Sequence, residues 1–236
     1  QGMGWGTIIY LAATGTVFRD FFHRSQWFGK AFQRGGFLVF SYLITNLTLN
    51  IDRLVLENLI GHLAVTQYYV TSLIGKTLVL LIAPINTIVI SYLTRRKELL
   101  TRSQFGKAVL AGSGVSFAFF LACQVGTPLF VWLFYRNLYD SVRGLVTVVN
   151  LAQILGLFSA FLFILVLTFT DEKWQLWIQL AHFLILLVSS VLAARAYGMI
   201  GFAWASLGAN LLRVAAVIVL GLAKAGKDKG GSDADR

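Results

Sequence analysis

A 236-residue chain that is 57% hydrophobic and only 13% charged is not an ordinary soluble domain, in which charged residues make up about 25%. It reads as an integral membrane protein. Its formal charge of +10 does not argue for nucleic acid, because the basic residues fall between apolar runs instead of gathering on one aromatic-rich face. Cys123, the single cysteine, excludes a disulfide framework and a cysteine metal cluster.

The chain opens Gln1-Gly2-Met3, with no basic region ahead of the first apolar run and no cleavage pattern after it. This leads to the expectation of a chain whose upstream part is missing. Gly4 to Phe18 is apolar but shorter than the ~20 residues that span a bilayer, so residues 1–18 are expected to be a partial transmembrane helix. Residues 19–34 mix Arg19, Arg24, Lys30 and Arg34 with Phe21, Phe22, Trp27, Phe28 and Phe32. That mixture predicts an amphipathic cytoplasmic linker at the headgroups.

Six full spans are expected over residues 35–222: Gly35–Leu59, Val65–Leu93, Ala108–Phe134, Leu145–Phe169, Trp174–Ala194 and Gly198–Leu222. Lipid offers the backbone no hydrogen-bond partners, and the runs lack the alternation of barrel strands, so the fold class is an all-α membrane protein. Loop charge gives the orientation. With the 19–34 linker placed in the cytoplasm, Arg95, Arg96, Lys97, Arg102, Lys107, Lys173, Lys224, Lys227, Lys229 and Arg236 fall on the same side, against Arg136, Arg143 and Arg195 on the other. Residues 223–236, Gly-rich and charged, are expected to form a disordered cytoplasmic tail.

The apolar runs carry polar groups that a lipid-facing helix holds only at a cost of roughly 2.5–3.5 kcal/mol for a central charge. On the first span Tyr42, Asn46, Asn50, Arg53 and Glu57 recur at helical spacing and share one stripe, expected to face an aqueous or protein-lined space. The alternative is a staple in which Arg53 and Glu57 pair at i,i+4. Asp52 lies about 100° round from Arg53, beside Thr45 and Thr48, on a face expected to meet a neighbouring helix.

On the second span Tyr69, Ser72 and Lys76 share a face, and Lys76 sits near mid-bilayer, too deep to snorkel out. Pro84 frees the carbonyl of Leu80 and favours a kink that Asn86 helps satisfy. The last span has two stripes. Gly198, Gly201, Ala205 and Gly208 suit close helix contact, while Ser206, Asn210 and Arg213 present a cation to a lumen or to helix-end carbonyls. Gly112-Ser113-Gly114 follows no strand and reads as packing, not a phosphate loop. His23, His62 and His182 have no partner at metal spacing and are expected at interfaces or in loops. No catalytic constellation or cofactor site is visible, so the chain does not read as an enzyme.

The run from Asn50-Ile-Asp-Arg-Leu to Gln67-Tyr-Tyr69, followed by Leu81-Ile-Ala-Pro-Ile-Asn-Thr87, resembles the start of the C-terminal half of Wzx-like oligosaccharide flippases. These belong to the multidrug/oligosaccharidyl-lipid/polysaccharide exporter superfamily. Phe134-Tyr135-Arg136 to Val142-Arg143 is similar to that family's loop before the tenth helix, and Tyr197-Gly198-Met-Ile-Gly201-Phe-Ala-Trp-Ala-Ser206 to the start of its twelfth. His62 and Gln67 depart from the small residues common at the family's turn.

The resemblance covers about Arg24 to Leu222 and implies one lobe of a two-lobe exporter in the bacterial inner membrane. Its partners would be a polyprenyl-diphosphate-linked glycan, the lipid bilayer and the missing N-terminal lobe, with no nucleic acid. It implies transport by alternating access. Arg53, Lys76 and Arg213, with Asn46 and Asn50, are the expected substrate-binding residues, and Asp52 and Glu57 the expected ion-coupling ones. A cation-coupled multidrug or metabolite exporter of the same superfamily, and a non-transporting membrane assembly subunit, are the rival readings.

Overall fold

The computed structural model describes residues 28–95, 101–170 and 172–225, and these are helical with no strand among them. The expected partial span at 1–18, most of the 19–34 linker and the tail beyond residue 225 lie outside the described residues. So do the side chains of Tyr42, Pro84 and Asn86. The chain divides into two units, residues 1–40 and 41–236. The first is described only from Phe28, as opening turns of a helix.

That helix, α1 (Phe28–Leu59), starts within the expected linker and continues through Gly35 without a break. It ends where Ile60 and Gly61 both donate their backbone N–H to the carbonyl of Leu56 at 2.9 Å. Gly61 has φ 114°, a conformation that L side chains rarely adopt. This tight turn falls between the first two expected spans, and α2 (His62–Arg95) begins directly after it.

The next helix, α3 (Arg102–Phe134), begins before the expected Ala108 because Thr101 and Gln104 form a reciprocal cap. Thr101 accepts from the Gln104 N–H at 3.3 Å and donates its own N–H to the Gln104 side chain at 3.1 Å. A 3₁₀ turn (Arg136–Leu138) and the short α4 (Tyr139–Val142) lead to α5 (Val146–Leu167).

The final segment, α6 (Glu172–Lys224), is broken at Gly198, with φ 63° and ψ −146°. Side chains 34 positions apart meet across it, Arg213 donating to Gln179 at 3.0 Å, so its two arms run antiparallel as a hairpin. Gly201 makes this approach possible, since a Cβ there would lie 2.1 Å from the carbonyl oxygen of Ala193. Gly208, on the same small-residue stripe, instead faces open space.

Three helices among the described residues are long and apolar enough to cross a membrane: Arg102–Phe134, Val146–Leu167 and the folded-back Leu176–Lys224. At that level the composition's membrane reading holds. Within the second unit α5 is central, packed against α2, α3 and α6. Two apolar cores lie along it. One joins Val55, Leu56, Tyr68, Val149, Phe202 and Ala203, and the other joins Phe105, Leu162, Val166, Phe169, Val214 and Val217. Between these cores, at residues 152–160 of α5 and 206–213 of α6, the packing opens.

Candidate functional site

That opening is a cavity of about 200 Å³, room for roughly seven water molecules at the ~30 Å³ each takes up in the liquid. Asp52 enters it from α1, Tyr68 and Lys76 from α2, and His182, Ser206, Asn210 and Arg213 from the two arms of α6. The α5 wall is made of Ala152, Gln153, Gly156, Leu157 and Ala160, none of which carries a charge.

The residues come together through close approaches between helices. Gly75 leaves space for Gln153, whose Cβ would lie 2.7 Å from a Cβ at position 75. Asn210 donates from Nδ2 to the carbonyl of Ala152 at 3.0 Å, and its Oδ1 lies 3.3 Å from where a Cβ on Gly156 would stand. Small residues on α2 and α5 therefore set how far polar side chains reach inward.

Lys76 donates from Nζ to Asp52 Oδ2 at 2.5 Å, joining α1 to α2. The other oxygen of Asp52 is buried without a partner. Arg213 donates through Nη2 to Gln179 Oε1, but its Nε has no acceptor, and neither Gln179 Nε2 nor either ring nitrogen of His182 has a partner. Among the described residues, these are the only buried side-chain nitrogens and oxygens left unpaired. Native structures leave few such groups, because each costs roughly 1–3 kcal/mol. Asp52, His182 and Arg213 all line the cavity, which marks it as a place built for polar occupants.

The expected site residues divide between this cavity and the outer surface. Asp52, Lys76 and Arg213 are brought together in it. Arg53 is exposed and lies over the Tyr69 ring at 5.0 Å. Glu57 is also exposed and faces His62 Nδ1 at 3.2 Å, so the i,i+4 contact with Arg53 is replaced by one across the turn. Asn50 is exposed and donates to the carbonyl of Asn46 at 2.9 Å. Asn46, partly buried, does not line the cavity.

His182 corrects the expectation of an interface or loop position: it is 4% exposed, in the cavity wall. Gln179 was not singled out from sequence, although its spacing of three from His182 puts both on one face of the first α6 arm.

A second polar cluster, between α3 and α5, was also missed. Asn150, fully buried, donates to the carbonyl of Cys123 and to Gln124 Oε1, both at 3.1 Å, and accepts from Thr127 Oγ1 at 3.1 Å. Gln124 donates in turn to Thr147 at 2.8 Å. The signal was the polar set Gln124, Thr127 and Asn150 inside apolar runs. Unlike the cavity, this cluster is satisfied internally and acts as a fastener.

Comparison with models of known families, with curated proteins and with solved structures found no match.

Proposed function

We propose that the chain moves an anionic, polar substrate across a membrane through the cavity between its helices. The resemblance in sequence points to a lipid-linked oligosaccharide carried on a polyprenyl diphosphate. One observation carries the reading: unpaired polar atoms and two cations, Lys76 and Arg213, surround a cavity inside an apolar helical bundle. A diphosphate entering a low-dielectric core needs such compensation, which charge-assisted hydrogen bonds from lysine and arginine supply.

In this reading the bundle is one six-span lobe of a two-lobe exporter, and substrate crosses as the lobes alternate. The exposed Asn50, Arg53 and Glu57 of α1 then face the other lobe. No covalent chemistry is required. The more general rival, a cation-coupled exporter, is favoured by one feature, the unpartnered Oδ1 of Asp52, which offers an acceptor to a cation.

The test supplies a fluorescent polyprenyl-diphosphate oligosaccharide to everted membrane vesicles containing this lobe together with its partner lobe. Translocation above that of vesicles lacking it is expected, with loss in Arg213→Gln at matched protein amounts. Equal rates with and without the protein sink the proposal.

A further inference from the structure

Three ionic side chains meet in the cavity, and their pairing is lopsided. Lys76 is held by Asp52, while Arg213 keeps Nε unpaired and uses Nη2 on the neutral Gln179. Beside it His182 and Gln179 hold further unpaired nitrogens. An oxyanion has several acceptor oxygens, enough to take hydrogen bonds from Arg213 Nε and a ring N–H of His182, both in the cavity wall, at once. It would also draw on Lys76, whose partner is one oxygen of a carboxylate.

We infer that this is a tetrahedral-oxyanion site in which Asp52 acts as a built-in competitor, holding Lys76 until a phosphoryl group displaces it. This rests on the anionic-substrate reading above and adds a negative element to it. Such an element is a recognised route to specificity, since a weakly charged occupant cannot displace the carboxylate. Displacement also releases one polar tie between α1 and α2, leaving the contacts of Glu57 with His62 and of Arg53 with Tyr69. The titratable groups that share the cavity with Asp52 are Lys76 and Tyr68 from α2 and His182 and Arg213 from α6, and α5 contributes nothing that ionises.

A purely structural ion pair makes the opposite prediction. Removing one partner of such a pair strands the other and weakens whatever the site holds. Removing a competitor strengthens binding.

The experiment measures sulfate binding to the whole chain in detergent, by calorimetry and by the rise in melting temperature with sulfate concentration. Sulfate carries the tetrahedral oxyanion geometry without a polyprenyl chain. The wild type should bind it, Arg213→Gln and Lys76→Gln should lose most of the affinity, and Asp52→Asn should bind ~10-fold tighter, within the usual range of coupling between sites. If Asp52→Asn folds only with anion present, its recovery by sulfate at concentrations that do not stabilise Lys76→Gln supports the inference.

Equal or weaker binding by a folded Asp52→Asn, failure of sulfate to recover an unfolded one, or no binding by the wild type overturns it. Because no lipid substrate is involved, absence of flipping with this pattern intact would remove the transport reading while leaving the oxyanion site standing.

Discussion

Asp52 and Arg53 are neighbours in sequence and part company in the fold, one buried against Lys76 and the other exposed over Tyr69. The hundred-degree turn between adjacent helical residues was legible in the sequence. That the Asp52 face meets a neighbouring helix was legible too, from Thr45 and Thr48 beside it; that Lys76 is the partner there was not, because only the packing of α2 against α1 brings the two together. The Lys76–Asp52 pair sets a clear expectation. Lys76→Met leaves both oxygens of a buried carboxylate unpartnered, a loss of about 3–5 kcal/mol, so its level in membranes should fall well below wild type. Adding Asp52→Asn should restore it, and quantitative blotting of the single and double variants checks this. Gly156 gives a finer probe. A methyl group there meets Asn210 Oδ1 at 3.3 Å, so Gly156→Ala should lower sulfate affinity several-fold while shifting the melting temperature by only a few degrees. A large shift without change in affinity would mean that Asn210 serves packing alone.

At the scale of elements, periodicity and length located the helices, because a long apolar run is a local signal. Two boundaries moved for reasons equally local but read too lightly: the Thr101–Gln104 cap lengthened α3, and nothing at Gly35 interrupts α1. Thr101→Ala should cost about 1 kcal/mol, seen as faster amide exchange in the first turn of α3 with little change elsewhere. Gly198 and Gly208 provide a matched pair. Gly198 holds φ 63° and ψ −146°, a region nearly closed to other residues, so Gly198→Ala should destabilise by roughly 1–3 kcal/mol. Gly208 is helical and open to space, so Gly208→Ala should be neutral or stabilise by up to ~1 kcal/mol. Thermal unfolding of both variants in one detergent decides the comparison, and equal losses would show that the break at Gly198 is not the origin of the cost.

For the whole molecule, the membrane reading followed from composition, and three described helices are long and apolar enough to agree with it, whereas the cavity depended on arms of α6 that lie 34 residues apart where they touch. No local pattern announces such a meeting. Loop charge gives one further expectation: with Arg95, Arg96 and Lys97 replaced by Gln, a reporter fused after Arg236 should appear on both sides of the membrane, and an unchanged single orientation would mean that other loops decide. The hairpin also fixes where the chain tolerates no change of length. Its arms are joined at Gly198 with no intervening loop to take up slack, and Gly201 lies hard against Ala193. One residue inserted there rolls the second arm by about 100° about its axis and carries Ser206, Asn210 and Arg213 off the cavity together. An insertion in the segment between α3 and α5 leaves that alignment alone. Register, more than the identity of any one side chain, is what the turn at Gly198 preserves.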